Sequence, residues 1–164
     1  MATTYEAIAT VTVGSGGAAN IEFTSIPATY TDLLLKFSTR YDLDVNTFDF
    51  KINGVTTSQT ARRVIGTGSS AVSSTYTEIQ TNPSGATAST FGNGEIYIPN
   101  YAGSNNKSLS IDAVSENNGT LAYATLEAWL WSNTAAITSL TLAGRSSAKF
   151  VQYSTATLYG IKNS

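Results

Sequence analysis

Residues 121–131 read Leu-Ala-Tyr-Ala-Thr-Leu-Glu-Ala-Trp-Leu-Trp, without glycine or proline. Successive side chains of a β-strand point to opposite faces. If this stretch is a strand, its two faces carry Glu127, Trp129 and Trp131 on one side and Leu126, Ala128 and Leu130 on the other. Both faces hold large apolar side chains. One of them must therefore meet solvent or a partner while the other packs in the core.

Outward from this stretch, the same period-2 alternation of β-branched and aromatic residues recurs, with turn clusters about every 8–12 residues. No segment has the periodicity of a helix. The remaining strands are predicted at 5–13, 21–23, 33–37, 48–52, 76–80, 95–98, 109–114, 137–142 and 150–161. Sequential strands without interleaved helices predict an all-β fold, an antiparallel two-sheet β-sandwich of about nine to ten strands with jelly-roll-like topology. Residues 1–164 are expected to form a single domain.

Turn residues refine this expectation in three places. The sequence GSGG at 14–17 is predicted to join the first two strands into a hairpin. Asn53-Gly54 is typical of a type I′ turn, because both residues tolerate positive φ. Residues 66–94 are rich in Gly, Ser and Asn and are expected to form long surface loops.

The composition excludes most catalytic and metal chemistry. The chain has no His and no Cys, which rules out Ser-His-Asp and Cys-His nucleophilic sites, zinc fingers and disulfides. Charged residues make up 12% of the chain, against a typical ~25%, while Ser and Thr together number 45. We therefore expect a non-enzymatic protein without a cofactor or metal, whose polar surface consists mainly of hydroxyls and amides.

The charge balance also bears on possible partners. A net charge of −2 and a pI of about 5.0 give no basic patch for nucleic acid. The first residues lack the pattern of a signal peptide, and no apolar run has the ~18 residues of a membrane span. The expectation is a chain that binds neither nucleic acid nor membrane and is synthesised in a cytoplasm.

Carboxylates provide the one remaining enzymatic or metal-binding route. Asp42, Asp44 and Asn46 have the spacing that begins a calcium loop, but the glycine and the final glutamate of that loop are missing. Asp42 and Asp44 would lie roughly 6.6 Å apart on an extended strand, within the range of an inverting glycosidase. Asp112 and Glu116 would be roughly 13 Å apart, which is too far. We interpret the 42–46 stretch as a polar loop.

Aromatic side chains are the candidate binding residues. Trp129, Trp131, Tyr97 and Tyr101 could stack on sugar rings or fill a partner's pocket if they are exposed. The alternative is that the tryptophans lie in the core, as large aromatics on a central strand usually do.

Several segments together carry a resemblance to a known group of proteins. They are IEFTSIPATYTDLLLKF at 21–37, GEIYIPNYAG at 94–103, AITSL at 136–140 and STATLYGI at 154–161. Read together, they resemble a group of structural proteins from the virions of tailed bacteriophages, along nearly the whole chain. The resemblance implies a small β-sandwich that is either a head decoration (cement) protein or a fibre module. The matching segments are strands and turns, so they carry over no functional residues.

These observations lead to a specific functional expectation. The chain is expected to bind the phage major capsid protein on the virion's capsid surface, as a homotrimer made in the bacterial host cytoplasm. Residues 1–6, including Thr3, Thr4 and Tyr5, are a candidate N-terminal arm that reaches a neighbouring subunit. The alternative is a fibre module that binds host glycans through the four aromatic residues.

Overall fold

The computed structural model describes residues 4–119 and 122–162. The described residues contain twelve β-strands and no helix. The strands are β1 (Tyr5–Thr12), β2 (Asn20–Phe23), β3 (Asp32–Thr39), β4 (Thr47–Ile52), β5 (Gln59–Gly66), β6 (Ala71–Ser74), β7 (Glu78–Gln80), β8 (Gly92–Pro99), β9 (Lys107–Glu116), β10 (Ala122–Trp131), β11 (Leu140–Ala143) and β12 (Thr155–Ile161).

The strands form two antiparallel sheets of unequal size. The larger has the order β1-β12-β3-β8-β9-β10-β5-β6, and the smaller has the order β2-β11-β4-β7. The predicted two-sheet β-sandwich is therefore confirmed. The expected nine to ten strands were too few, because β5 and β6 were not predicted, whereas β7 lies within the strand predicted at 76–80.

The chain crosses between the sheets in the manner of a jelly roll. From β2 to β5 each strand lies in the sheet opposite to its predecessor, and β5 is followed in its own sheet by β6. β7 and β11 again lie in the small sheet. Along the chain, they precede and follow the three-stranded meander β8-β9-β10, which lies in the large sheet. The meander occupies the place of one strand of an eight-stranded jelly roll, and β1 and β12 extend the large sheet beyond β3.

The two turn predictions had different outcomes. Asn53 and Gly54 have φ of 51° and 81°, and Ile52 and Val55 exchange both backbone hydrogen bonds, which confirms the two-residue turn. The predicted hairpin of the first two strands is wrong, because β1 pairs with β12 and β2 pairs with β11. The glycine-rich segment at 14–17 carries the chain from one sheet to the other.

The core lies between the inner faces of the two sheets. Aromatic rings connect the layers: Phe37 of β3 packs edge-on against Phe48 of β4, with ring centroids 5.2 Å apart. Phe50 packs in the same manner against Trp129, at 6.3 Å. Burial of each such side chain contributes about 1.5–3 kcal/mol. The inner face of β10 is therefore fixed by its contact with the small sheet.

Candidate interaction surface

The predicted stacking residues do not form an exposed platform. Trp129 and Trp131 are 2% and 1% exposed, and Tyr101 is fully buried. Tyr97 is half-buried, and its hydroxyl donates to Asp32 Oδ2 at 2.9 Å. The prediction that these residues stack on sugars is therefore corrected for Trp129, Trp131 and Tyr101. The small sheet covers the inner face of β10, which carries both tryptophans. Tyr101 is held inside by its hydroxyl, which donates a hydrogen bond to the Pro27 carbonyl.

Trp131 instead covers a buried cation. The Lys107 ammonium lies 5.6 Å from the centroid of the Trp131 ring and donates to the carbonyls of Gly103 and Ala135 at 2.7 and 2.6 Å. Burial lowers the pKa of Lys107. The lysine thus ties two loops to the end of β10, which gives it a structural role.

The candidate N-terminal arm is only partly described. Thr3 lies outside the described residues. Thr4 is exposed and immediately precedes β1, whereas Tyr5 is already in β1, opposite Ile161 of β12. The arm assignment is therefore corrected at Tyr5 and Glu6, because the edge of the large sheet holds both residues by strand pairing.

The two carboxylates of the 42–46 loop lie next to backbone groups of other loops. Asp42 Oδ1 accepts the Lys149 amide at 2.8 Å, and the Asp44 carboxylate lies beside Gly85. In the described ranges, no group of three or more His, Cys, Asp or Glu side chains could hold a metal ion. Nor does any described residue belong to a helix of the length and hydropathy needed to cross a bilayer.

Glu116 and Arg40 fasten the loop at residues 82–91 to the end of the large sheet. Arg40 donates four hydrogen bonds of 2.8–3.0 Å to the carbonyls of Ser84, Ala86, Thr87 and Thr90. Glu116 accepts a hydrogen bond from the Thr90 hydroxyl of the same loop and another from the Asn118 amide, which follows β9. These two hydrogen bonds contribute most to lowering the pKa of Glu116 to about 2. The expected long surface loop is therefore a fixed part of the structure.

The strongest candidate for interaction is the outward side of β9, β10 and β5, three neighbouring strands of the large sheet that lie towards its β6 edge. We call it the outer face, and its residues are Thr60, Arg62 and Val64 of β5, Ser108, Ser110, Asp112 and Val114 of β9, and Ala124, Leu126, Ala128 and Leu130 of β10. All of them are exposed, and Leu126 at its centre is 70% exposed.

The register of β5, β10 and β9 places the apolar residues of the outer face side by side. Leu126 lies opposite Val64 on one side and Asp112 on the other, and Ala124 lies opposite Val114. Shallow depressions of about 710, 490 and 440 Å³ adjoin along β10, and Leu126 lines the two larger ones. An exposed sheet face with leucine and valine at its centre is typical of an interaction surface.

The inner face of β10 has an unusual polar content. Glu127 is 4% exposed and accepts the Trp129 indole N–H at 2.7 Å, while Thr125 is also buried. Burial raises the pKa of Glu127, and the Trp129 hydrogen bond and the charge of Arg63 oppose this shift. Arg63, the cross-strand neighbour of Glu127, donates to Ser74 Oγ and to the Glu78 carbonyl. A polar cluster thus fills the interior under the short edge strand β7.

The outer face combines residues that the sequence analysis only partly identified. The grouping of Leu126, Ala128 and Leu130 on one side of a strand followed from alternation. Val64 and Arg62 were missed because β5 was not predicted as a strand, and the place of Val114 beside β10 was missed because it depends on long-range strand pairing. No family model, curated protein or solved structure matches the chain.

Proposed function

We propose that the chain is a non-enzymatic structural protein of a tailed-phage virion that decorates the assembled head and bridges neighbouring major capsid subunits as a homotrimer. The observation that carries this proposal is the outer face, an exposed apolar sheet surface on a chain with few charges. Such a surface is suited to lasting contacts that depend little on salt. The resemblance of the strand segments to phage virion proteins supports the choice of partner.

The proposed mechanism is thermodynamic linkage. A protein that binds only the assembled lattice stabilises it by mass action, by an amount that grows with the ratio of free protein to dissociation constant. Many symmetric copies on one shell add their contributions, so a modest contact energy per copy is sufficient. The sandwich core supplies a rigid body, and the surface residues supply the contacts.

Glycan binding as a fibre module remains the alternative proposal, with fewer residues to support it. Three of its four stacking candidates, Trp129, Trp131 and Tyr101, are buried. The alternative would depend on Tyr97, whose hydroxyl is already bound to Asp32, or on other exposed aromatics.

The test is sedimentation of the purified chain with purified heads of the phage whose genome encodes it, compared with the same amount of unassembled major capsid protein. Decoration predicts saturable binding to heads, none to free subunits, and a raised temperature of head disruption. Absence of binding to heads, or the presence of the chain at a fibre tip in particle density, would contradict the proposal.

A further inference from the structure

Strand β10 departs from the usual pattern for a sheet with one solvated face, although its buried side also carries Trp129 and Trp131. Such strands place apolar residues inward and polar residues outward. In β10 the buried side includes Thr125 and Glu127, whereas the exposed side carries only alanine and leucine from Ala122 to Leu130. A surface of this composition costs free energy when it is in contact with water. The composition therefore indicates that another surface covers the outer face.

The charges of the outer face are arranged so that the surface is complementary to itself. Arg62 on β5 and Asp112 on β9 are its two charged residues, and they flank β10 on opposite sides. Within the described part of the chain neither forms a salt bridge, and Arg62 Nη1 donates to the Ala61 carbonyl. Asp112 instead neighbours Glu95, which pairs with Lys36. Asp112 is near enough to Lys36 to contribute to the raised pKa of that lysine, but among the described residues neither Arg62 nor Asp112 has a salt-bridge partner, which a second copy would bring.

The size of the surface also suits a second copy. Together with the outward sides of the flanking strands β6 and β8, of which β8 adds Glu95 to the charges, the outer face belongs to a surface of five strands, about 24 Å wide at a strand spacing of about 4.8 Å. Four of these strands have eight to ten residues, about 30 Å, and β6 has four residues, about 13 Å, so the projected area is about 640 Å². Side-chain relief raises the accessible area above this projection. A stable interface needs about 800 Å² per partner.

We propose that the outer face is the surface through which copies of this chain associate, with Arg62 of one copy paired to Asp112 of the next and Leu126 at the centre of the contact. This inference rests on the proposed function in one respect, the number of subunits, since the homotrimer belongs to that proposal. The same pairing closes a two-fold dimer, and it also closes a ring in which the β5 side of each copy meets the β9 side of the next.

Charge reversal tests the pairing by sedimentation velocity over a range of concentrations. The wild type is expected to self-associate, and Arg62→Asp and Asp112→Arg are each expected to weaken association about tenfold or more, because like charges then face each other. The doubly reversed variant, Arg62→Asp with Asp112→Arg, restores the opposite charges and is expected to recover association. Equal association of all four proteins, or a wild type that stays monomeric at about 100 μM, would overturn the proposal.

Mixing the two single variants reports the number of subunits separately. In a two-fold dimer that contains one copy of each variant, both contacts between positions 62 and 112 join opposite charges, so association returns. A three-membered ring always retains one contact between like variants, so mixing does not restore a trimer. Recovery of the mixture as a dimer would support the surface and remove the trimer from the proposed function.

A second pair of variants tests the apolar centre. Leu126→Lys is expected to lower the association constant about a hundredfold, whereas Leu43→Lys, at another exposed leucine in the loop between β3 and β4, is expected to leave it unchanged. Circular dichroism and the emission of the buried tryptophans confirm that both variants are folded. The wild type could instead be monomeric and bind to heads, with binding lost in Leu126→Lys but not in Leu43→Lys. That result would overturn self-association and would show that the outer face contacts the capsid shell. Self-association without head binding would retain the surface and contradict the decoration proposal.

Discussion

The two faces of strand β10 differ in their surroundings: one lies in the core and the other is exposed. The inner face carries Glu127, Trp129 and Trp131, and its side chains are held by packing and hydrogen bonds to the rest of the chain. The outer face carries Leu126 and Leu130, which are 70% and 41% exposed between their cross-strand neighbours on β5 and β9. In this strand, the polarity of a side chain therefore does not indicate whether it faces solvent. The inner face contributes to folding, and the outer face is free to contribute to association.

Truncation of the inner indole has the largest expected effect. Trp131→Ala removes a buried side chain from the end of β10 and opens a cavity over the Lys107 ammonium. We expect a loss of about 3–5 kcal/mol in the free energy of unfolding. The measurement is urea unfolding at a concentration where the wild type is monomeric. A loss below about 1 kcal/mol would mean that the inner face does not hold the fold together.

Two substitutions of Glu127 separate the effect of its hydrogen bond from the effect of its charge on the stability of the inner face. Glu127→Ala leaves the buried Trp129 indole N–H without its acceptor, and we expect a loss of about 1–3 kcal/mol. Glu127→Gln keeps an acceptor oxygen without the charge and is expected to be at least as stable as the wild type at pH 8. The same unfolding assay measures both variants. Equal destabilisation by alanine and glutamine would show that the negative charge itself is required.

The pH dependence of stability distinguishes the buried Glu127 from Glu116 at the sheet end. The raised pKa of Glu127 means that its contribution is complete below the ordinary value of 4.5 and is lost as the pH rises through the raised value. The lowered pKa of Glu116 means that its contribution is present above 4.5 and is lost as the pH falls towards about 2.

Two variants assign these effects when the free energy of unfolding is measured from pH 2 to pH 9. Glu127→Gln is expected to flatten the decline above pH 4.5, and Glu116→Gln is expected to flatten the decline below it. If Glu127→Gln left the upper limb unchanged, the buried carboxylate would not be its source.

Truncation on the outer face has the smallest expected effect on folding. Leu130→Ala, next to Trp131 but on the opposite side, should change the free energy of unfolding of the monomer by no more than about 0.5 kcal/mol. The measurement is the urea assay used for Trp131→Ala, at the same dilution. A loss comparable to that of Trp131→Ala would show that the outer face packs within the chain and would remove the distinction between the two faces.

The large-scale fold was accessible from the sequence because it depends on local patterns. Alternation in β3, β4, β9 and β10 identified these strands, and Asn53-Gly54 identified a tight turn because its backbone conformation is a local property. The two strands that were not predicted are β5 and β6. β6 has only four residues, which give little periodicity, and in β5 the charged Arg63 occupies an inward position between Ala61 and Ile65 and interrupts the apolar alternation. The first hairpin was wrongly predicted because a glycine-rich segment permits a crossing between sheets as readily as a reversal.

The candidate surface was less accessible, for a physical reason that β10 makes clear. Alternation sorted its residues into two sets, one with Glu127 and both tryptophans and one with the leucines, but gave no sign of which set points inward. Packing of the small sheet decides this: Phe50 meets Trp129 across the core, so the indoles are buried and the leucines are left outside. The sequence itself determined the all-β class, the turn at residues 53–54 and the absence of His and Cys chemistry. The tertiary structure alone decided the burial of Glu127 and the alignment of Val64, Leu126 and Asp112, because long-range strand pairing sets both and no local pattern encodes it.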